Sequence, residues 1–116
     1  MIFIGISRDF DLTGEQQYET IGRFWEEMER IYGAESLRGL GYAWKNNRIS
    51  YAIGLKDGYI DGYDLELELP ESGWTTVSGK TDSLKQIYDE IYKVGALKYE
   101  IEAFFEDGSC EIQYYR

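Results

Sequence analysis

The stretch YEIEAFFEDGSCEIQYY, residues 99–115, predicts a β-hairpin late in the chain. Two runs rich in aromatic and β-branched residues flank Asp107-Gly108, a dipeptide that favours a tight type I′ turn. Glu100 and Glu102 lie inside the first run, although carboxylates are usually depleted from strands. These glutamates are therefore either ordinary surface charges or parts of a site.

A second hairpin of the same kind is predicted earlier, in GYAWKNNRISYAIG at residues 41–54 around Asn46-Asn47. An amphipathic helix precedes each hairpin, because residues 14–33 and 80–95 both place apolar side chains at three- and four-residue spacing. The chain therefore contains two similar helix–hairpin units.

Both predicted helices have candidate end signals. Thr13 is positioned to cap the start of the first helix, and Gly33 ends it. Asp82 or Ser83 is positioned to cap the second, which Gly95 stops. We therefore expect both helices to be bounded by short polar side chains and glycines.

A strand is predicted before each helix, IFIGIS at 2–7 and WTTVSG at 74–79, and LELEL at 65–69 alternates like a further strand. The order strand–helix–strand–strand thus occurs twice. It predicts an α+β fold in which two helices and an antiparallel sheet of about seven or eight strands are arranged around a pseudo-twofold axis.

We expect one domain over residues 1–116, as the length suits a single hydrophobic core. The first repeat covers about residues 1–56, the connecting strand lies within 57–70, and the second repeat covers about 71–116. The interface between two like units is a common place for a ligand cleft.

The composition excludes several classes of function. The chain has no histidine, which excludes Ser-His-Asp and Cys-His catalysis and histidine metal ligands. A single cysteine, Cys110, excludes a cysteine-rich zinc site, and DGYIDGYD at 57–64 lacks the ligand spacing of an EF-hand. A formal net charge of −10 opposes binding to nucleic acid. We expect no metal, no cofactor and no direct nucleic-acid contact.

No stretch approaches the roughly 18 apolar residues of a membrane span, and the first ten residues are charged too early for a signal peptide. We therefore expect a soluble cytoplasmic protein that does not bind membranes. Eleven Tyr, five Phe and three Trp in an acidic chain suit a cationic, lipophilic ligand, because ring faces and carboxylates both attract cations. Alternatively, the aromatic residues form the core and the acids provide solubility.

A two-residue turn at Asp107-Gly108 would decide which side chains share a face of the second hairpin. The face expected to meet the core carries the pairs Phe105–Cys110, Ala103–Ile112 and Ile101–Tyr114. The other face carries Glu100–Tyr115, Glu102–Gln113 and Phe104–Glu111. In the first hairpin the same construction predicts a core face with the pairs Trp44–Ile49, Tyr42–Tyr51 and Leu40–Ile53.

The face away from the predicted core differs between the two hairpins. Gly41 occupies in the first the place that Glu102 occupies in the second, and glycine inside a strand often marks close approach of a ligand or another backbone. The alternative is a plain solvated sheet face. Glu100, nearer the strand edge, is predicted to be a solvated charge.

The same residues resemble the GyrI-like effector-binding domains, small-molecule-sensing modules of bacterial multidrug-responsive transcription regulators that also occur as stand-alone proteins. The resemblance covers nearly all of the chain in the family's order. It rests on Phe24-Trp25 in the first helix, Gly41-Tyr42 in the strand that follows, PESGWTTV at 70–77 and EAF at 102–104.

The resemblance implies a central cleft in which a late-strand glutamate pairs with cationic, lipophilic drugs while aromatic side chains stack around it. In this chain that glutamate is Glu102, with Phe104 beside it and Trp74 in the place of a family tyrosine. The remaining predicted ligand-binding residues are Trp25, Gly41, Tyr42, Gln113 and Tyr115. Core packing is the alternative role for Trp25 and Tyr42.

We therefore expect a stand-alone small-molecule-binding protein whose cleft takes lipophilic, cationic or aromatic ligands and is anchored by Glu102. Two alternatives stay open. A buried Glu102 could act as the general base of a hydrolase of reactive small molecules. An acidic surface could instead dock on a protein partner, as gyrase-inhibiting relatives do. We expect no helix-turn-helix in this chain, and the sequence carries no signal for its oligomeric state.

Overall fold

In the computed structural model, which describes residues 1–15 and 17–116, the chain forms a seven-stranded antiparallel sheet and two α-helices. The helices are α1 (Gln17–Tyr32) and α2 (Leu84–Lys93). The strands are β1 (Ile2–Asp11), β2 (Leu37–Lys45), β3 (Arg48–Leu55), β4 (Leu65–Glu68), β5 (Thr75–Lys80), β6 (Tyr99–Phe104) and β7 (Ser109–Tyr115). The predicted α+β fold class is confirmed.

The strand order, β4-β1-β3-β2-β6-β7-β5, displays the duplication. One half consists of β1, α1, β2 and β3, the other of β5, α2, β6 and β7, and the halves meet where β2 pairs antiparallel with β6. At the centre of that pairing Leu40 lies opposite Ile101. The pseudo-twofold axis therefore passes through this pair, and strand β4 adds to the outer edge of β1.

Both sides of the sheet are packed. On the helix side, α1 buries Phe24, Trp25 and Met28 against Leu37, Tyr51 and Ile53, and α2 buries Tyr88 and Ile91 against Ile112. On the far side, a separate cluster contains Phe3, Leu40, Ala52, Leu69 and Ile101. Each fully buried side chain of this size contributes about 1.5–3 kcal/mol relative to exposure. Neither helix in the described part of the chain is long and apolar enough to cross a membrane.

The first hairpin turns at Asn46-Asn47 as predicted, with both residues at positive φ (53° and 61°). The pairing predicted beyond that turn is wrong, because a bulge separates Tyr42 from the end of β2. Ala43 adopts a positive φ of 54° in this bulge. Tyr42 consequently pairs with Ser50 rather than with Tyr51, and the tyrosine at 51 faces the helices.

The second hairpin is also shifted by one residue from the predicted pairing. The amide of Phe105 donates to the Ser109 carbonyl at 3.0 Å, and Asp107 Oδ1 accepts the Ser109 amide at 2.9 Å. These bonds close a loop of three residues, 106–108, instead of two. Glu102 therefore pairs with Ile112 rather than with Gln113. A slip of one residue changes which side chains of β7 lie beside each face of β6. The face of β6 that carries Glu100 and Glu102 is the one that packs against the helices.

The helix ends match the predictions better than the starts do. Gly33 and Gly95 follow α1 and α2 at positive φ (82° and 143°). Ser83 forms no side-chain capping bond, because a 3₁₀ turn that ends at this residue leads directly into α2. Thr13 likewise belongs to a 3₁₀ turn rather than to the start of α1. The predicted first helix also included residue 16, which lies outside the described residues.

Candidate functional site

A cavity of about 710 Å³ lies between the two helices and the middle of the sheet. Its size falls in the range of about 300–1,000 Å³ that is usual for small-molecule sites. The helices contribute Tyr18, Ile21, Trp25, Leu84, Tyr88 and Tyr92 to its lining. The sheet contributes Trp44, Ile49, Tyr51, Glu100, Glu102 and Phe104.

Glu102 lies in the wall of this cavity and is 5% exposed. Its Oε1 accepts a hydrogen bond from the hydroxyl of Tyr51, and its Oε2 accepts one from the hydroxyl of Tyr88 at 2.5 Å. Trp25 Nε1 donates to the Tyr51 oxygen at 2.8 Å. Donors on both sides thus hold the carboxyl group in one orientation.

Glu100 is the second buried carboxyl of the cavity, at 4% exposure. Its Oε2 accepts a hydrogen bond from the hydroxyl of Tyr92 at 3.0 Å. The prediction that this residue is a solvated charge is wrong, because the shifted hairpin turns its side chain towards α2. Glu100 and Glu102 are two residues apart on one strand face, so their backbones are about 7 Å apart.

Two glycines of β2 make room for this arrangement. Gly39 lies opposite Glu102 and Gly41 lies opposite Glu100 across the β2–β6 junction. A Cβ on Gly41 would lie 2.9 Å from both Cγ and Oε1 of Glu100, and one on Gly39 would collide with the hydroxyl of Tyr51. A side chain at either position would therefore displace the groups around the carboxyls.

The electrostatic environment favours the protonated form of both acids. Burial and the neighbouring Glu102 raise the pKa of Glu100 well above its usual value. Burial also raises the pKa of Glu102, although the hydrogen bonds from Tyr51 and Tyr88 oppose the shift. The pKa of each of these tyrosines and of Tyr92 is raised by burial first, so the phenols stay neutral donors.

Positive charge is missing from the cavity wall. Within residues 1–15 and 17–116, the lining contains no lysine or arginine side chain. The rim adds further negative charge from Glu26 and Glu29 of α1. Partial burial and the nearby Glu26 raise the pKa of Glu29. The cavity is therefore an apolar, aromatic space with uncompensated carboxyl groups.

Three of the predicted binding residues, Glu102, Phe104 and Trp25, come together in this cavity. The rings of Phe104 and Trp25 meet edge to face with centroids 4.9 Å apart. Trp25 is also 5% exposed and belongs to the core, so the alternative role of core packing is present, and the same side chain lines the cavity. Gly41 lies directly beside Glu100, beneath the cavity.

The other four predicted residues do not line this cavity. The shifted pairing places Tyr42 opposite Tyr99 and Gln113 opposite Ile101, on the far side of the sheet. Trp74 and Tyr115 lie on that side as well, with ring centroids 5.6 Å apart. Tyr42 Oη lies 2.6 Å from Ser7 Oγ there, within hydrogen-bonding distance.

Sequence reasoning missed Glu100, Tyr88 and Tyr92 as site residues. The two tyrosines lie four residues apart on α2, which puts them on one helix face, and their rings stack with centroids 5.6 Å apart. That spacing was a usable signal, but it also fits ordinary core packing. Glu100 was recognisable as an unusual residue inside a strand, but only the register of the hairpin decides which face of the sheet carries its side chain.

In the part of the chain that the structure describes, no group of three or more histidine, cysteine or carboxylate side chains converges on a possible metal site. Comparison with protein-family models, with curated proteins and with solved structures finds no match to this chain. The resemblance to the GyrI-like domains therefore stays a prediction, and the function has to be argued from the geometry of the cavity.

Proposed function

We propose that this protein is a cytoplasmic binding protein for lipophilic, cationic small molecules, with Glu102 as the anchor of the ligand's charge. One observation carries the proposal. Two buried carboxyl groups line an aromatic cavity of about 710 Å³ whose described lining contains no basic side chain.

The free energy of burying a carboxyl group favours a cationic ligand. An unpaired carboxylate in an apolar environment is costly, and a group in this position shifts its pKa and becomes neutral. The raised pKa of Glu102 is that response. A bound cation would restore the ionised form and gain a charge-assisted contact in a region of low dielectric constant.

The aromatic walls suit the apolar part of such a ligand. The stacked rings of Tyr88 and Tyr92 form one side, and the edge-to-face pair of Trp25 and Phe104 lies near the carboxyls. Ring faces attract cations and also bury hydrocarbon. The acidic rim and the net charge of −10 would concentrate cations at the entrance.

The proposal is tested by titrating the protein with 4-phenylbutyltrimethylammonium and with its uncharged tert-butyl isostere, using calorimetry at pH 8. We expect the cation to bind the wild type and to bind Glu102→Gln at least tenfold more weakly. Glu111→Gln is the matched control, because it removes the same charge from β7 on the far side of the sheet. Absence of binding, equal affinity for the uncharged isostere, or equal losses in both variants would refute the proposal.

A hydrolase is the second candidate, and the same carboxyl favours it. A glutamate whose pKa is raised can accept a proton from water near neutral pH, and the hydroxyls of Tyr51 and Tyr88 are donors beside it. The test is incubation with an aryl epoxide and assay of the diol. Several turnovers per protein molecule that are lost in Glu102→Gln would establish the enzyme, and stoichiometric binding without diol would rule it out.

A further inference from the structure

We propose that Glu100 and Glu102 act together as a paired carboxylate site, and that the preferred ligand is an apolar dication whose two cationic nitrogens lie about 7 Å apart. A diamine or bis-amidine with an aromatic linker has this chemistry. The inference rests on the proposed function, because it names the ligand class of the same cavity.

The first support is the way in which the two acids are held. They project from one face of β6, two residues apart, and each has its own hydroxyl donors from the surrounding elements. Tyr51 and Tyr88 donate to Glu102, while Tyr92 donates to Glu100. Neutral hydroxyls orient carboxyl oxygens without cancelling their charge. Both acids are therefore held in place by groups that carry no positive charge.

The second support is the two glycines of β2 that lie beside the two acids. Gly39 and Gly41 occupy in β2 the positions that are related to Glu100 and Glu102 by the pseudo-twofold axis through Leu40. One half of the fold thus supplies two acids at the axis, and the other half supplies glycines at the matching positions. The Cβ that Gly41 lacks would lie 2.9 Å from Glu100 Oε1.

The third support is charge balance. Two neighbouring buried carboxylates cannot both be ionised cheaply, so burial and proximity favour the protonated forms of the pair. A single cation balances one carboxylate and leaves the other protonated, whereas a dication balances both. The groups that face the pair are Trp25 from α1, Tyr51 from β3, Tyr88 and Tyr92 from α2 and Cys110 from β7, and none of them is basic. Binding of a dication should therefore release more protons than binding of a monocation.

The experiment compares p-xylylenediamine with 4-methylbenzylamine, which has the same ring and one amine. Calorimetry at pH 8 is run with wild type, Glu100→Gln and Glu111→Gln, in two buffers of different ionisation enthalpy. We expect the wild type to bind the diamine at least 30-fold more tightly than the monoamine and to release more protons with it. Glu100→Gln should lose at least tenfold in diamine affinity and less than threefold in monoamine affinity, and Glu111→Gln should match the wild type.

Equal affinity of the wild type for both amines would overturn the inference and leave the proposed function intact, and this comparison needs no variant to fold. Equal losses for both amines in Glu100→Gln would overturn it as well, because the residue would then act only on the general charge of the cavity. Binding of neither amine, nor of the trimethylammonium probe, would refute the proposed function together with the inference. Tyr92→Phe, which removes the hydroxyl bonded to Glu100, should weaken diamine binding more than monoamine binding.

Discussion

The hydroxyl of Tyr51 donates a hydrogen bond to Glu102, and these two side chains come from different halves of the duplicated sheet. Trp25 donates to the Tyr51 oxygen at 2.8 Å, and Tyr88 donates to the other oxygen of the carboxyl at 2.5 Å. A chain of hydrogen bonds therefore runs from α1 through β3 and β6 to α2. A buried network of this kind specifies one arrangement, because each unsatisfied member would be costly.

We predict that Tyr88→Phe destabilises the fold by about 1–2 kcal/mol, because it removes a hydroxyl bond from a buried carboxyl and keeps the ring. The free energy of unfolding from urea titration measures the effect. Tyr59→Phe is the control, since its side chain is 60% exposed and retains the ring contact with Tyr63. Equal effects of the two substitutions would show that the bond to Glu102 contributes nothing.

We predict that the free energy of unfolding decreases as the pH rises above the ordinary glutamate pKa of about 4.3. Burial raises the pKa of Glu100 and Glu102 in the folded state, so the folded protein binds more protons than the unfolded chain in this range. That stabilisation is complete below the unfolded pKa and is lost as the pH rises through the folded values.

Glu100→Gln should remove most of this loss and exceed the wild type in stability at pH 8, because the neutral amide has no charged form to bury. Thermal unfolding at a series of pH values from 5 to 9 compares the two proteins. The exposed acids Asp11, Glu27 and Asp107 have lowered pKa values and titrate at lower pH. They therefore do not mask the difference in stability between the wild type and Glu100→Gln. Parallel profiles would contradict the burial of an ionisable Glu100.

We predict opposite effects of alanine at two glycines. Gly39→Ala should destabilise by about 3 kcal/mol, because its Cβ would collide with Tyr51 and lie 2.8 Å from Trp25 Cζ2. Gly22→Ala should stabilise by about 0.5–1 kcal/mol, because it lies within α1 with open space around its Cβ position. Chemical unfolding of both variants measures the difference in their free energies of unfolding. Unchanged stability of Gly39→Ala would contradict the close packing of Gly39 against Tyr51 and Trp25.

We predict that Ala43→Gly stabilises the protein by about 0.5–1 kcal/mol. Ala43 adopts a φ of 54°, which costs an L-residue about 1–2 kcal/mol and a glycine almost nothing. Ala103→Gly in β6 is the control and should destabilise by about 1 kcal/mol, because that residue lies in regular strand. A loss of stability in both variants would show that the bulge is not strained.

The secondary structure was largely predictable, since the hydrophobic period of the helices and the Asn46-Asn47 turn are local signals. The register of both hairpins was not. One residue at positive φ, Ala43, shifts the first hairpin, and the bonds around Asp107 and Ser109 lengthen the second turn. Such local turn interactions are weak relative to the core packing that selects one register over another. The resulting one-residue shifts in pairing place Tyr42 and Gln113 on the far side of the sheet.

The sequence by itself determined the order of elements, the duplication and the presence of carboxylates inside a late strand, because all three follow from side-chain period and turn chemistry along the chain. Only the tertiary structure decided that Glu100 is buried beside Glu102 and not solvated. That outcome depends on residues outside β6: the Tyr92 hydroxyl of α2 and the missing side chain of Gly41 in the other half. Burial is a property of what packs against a residue, and no pattern within β6 carries that information.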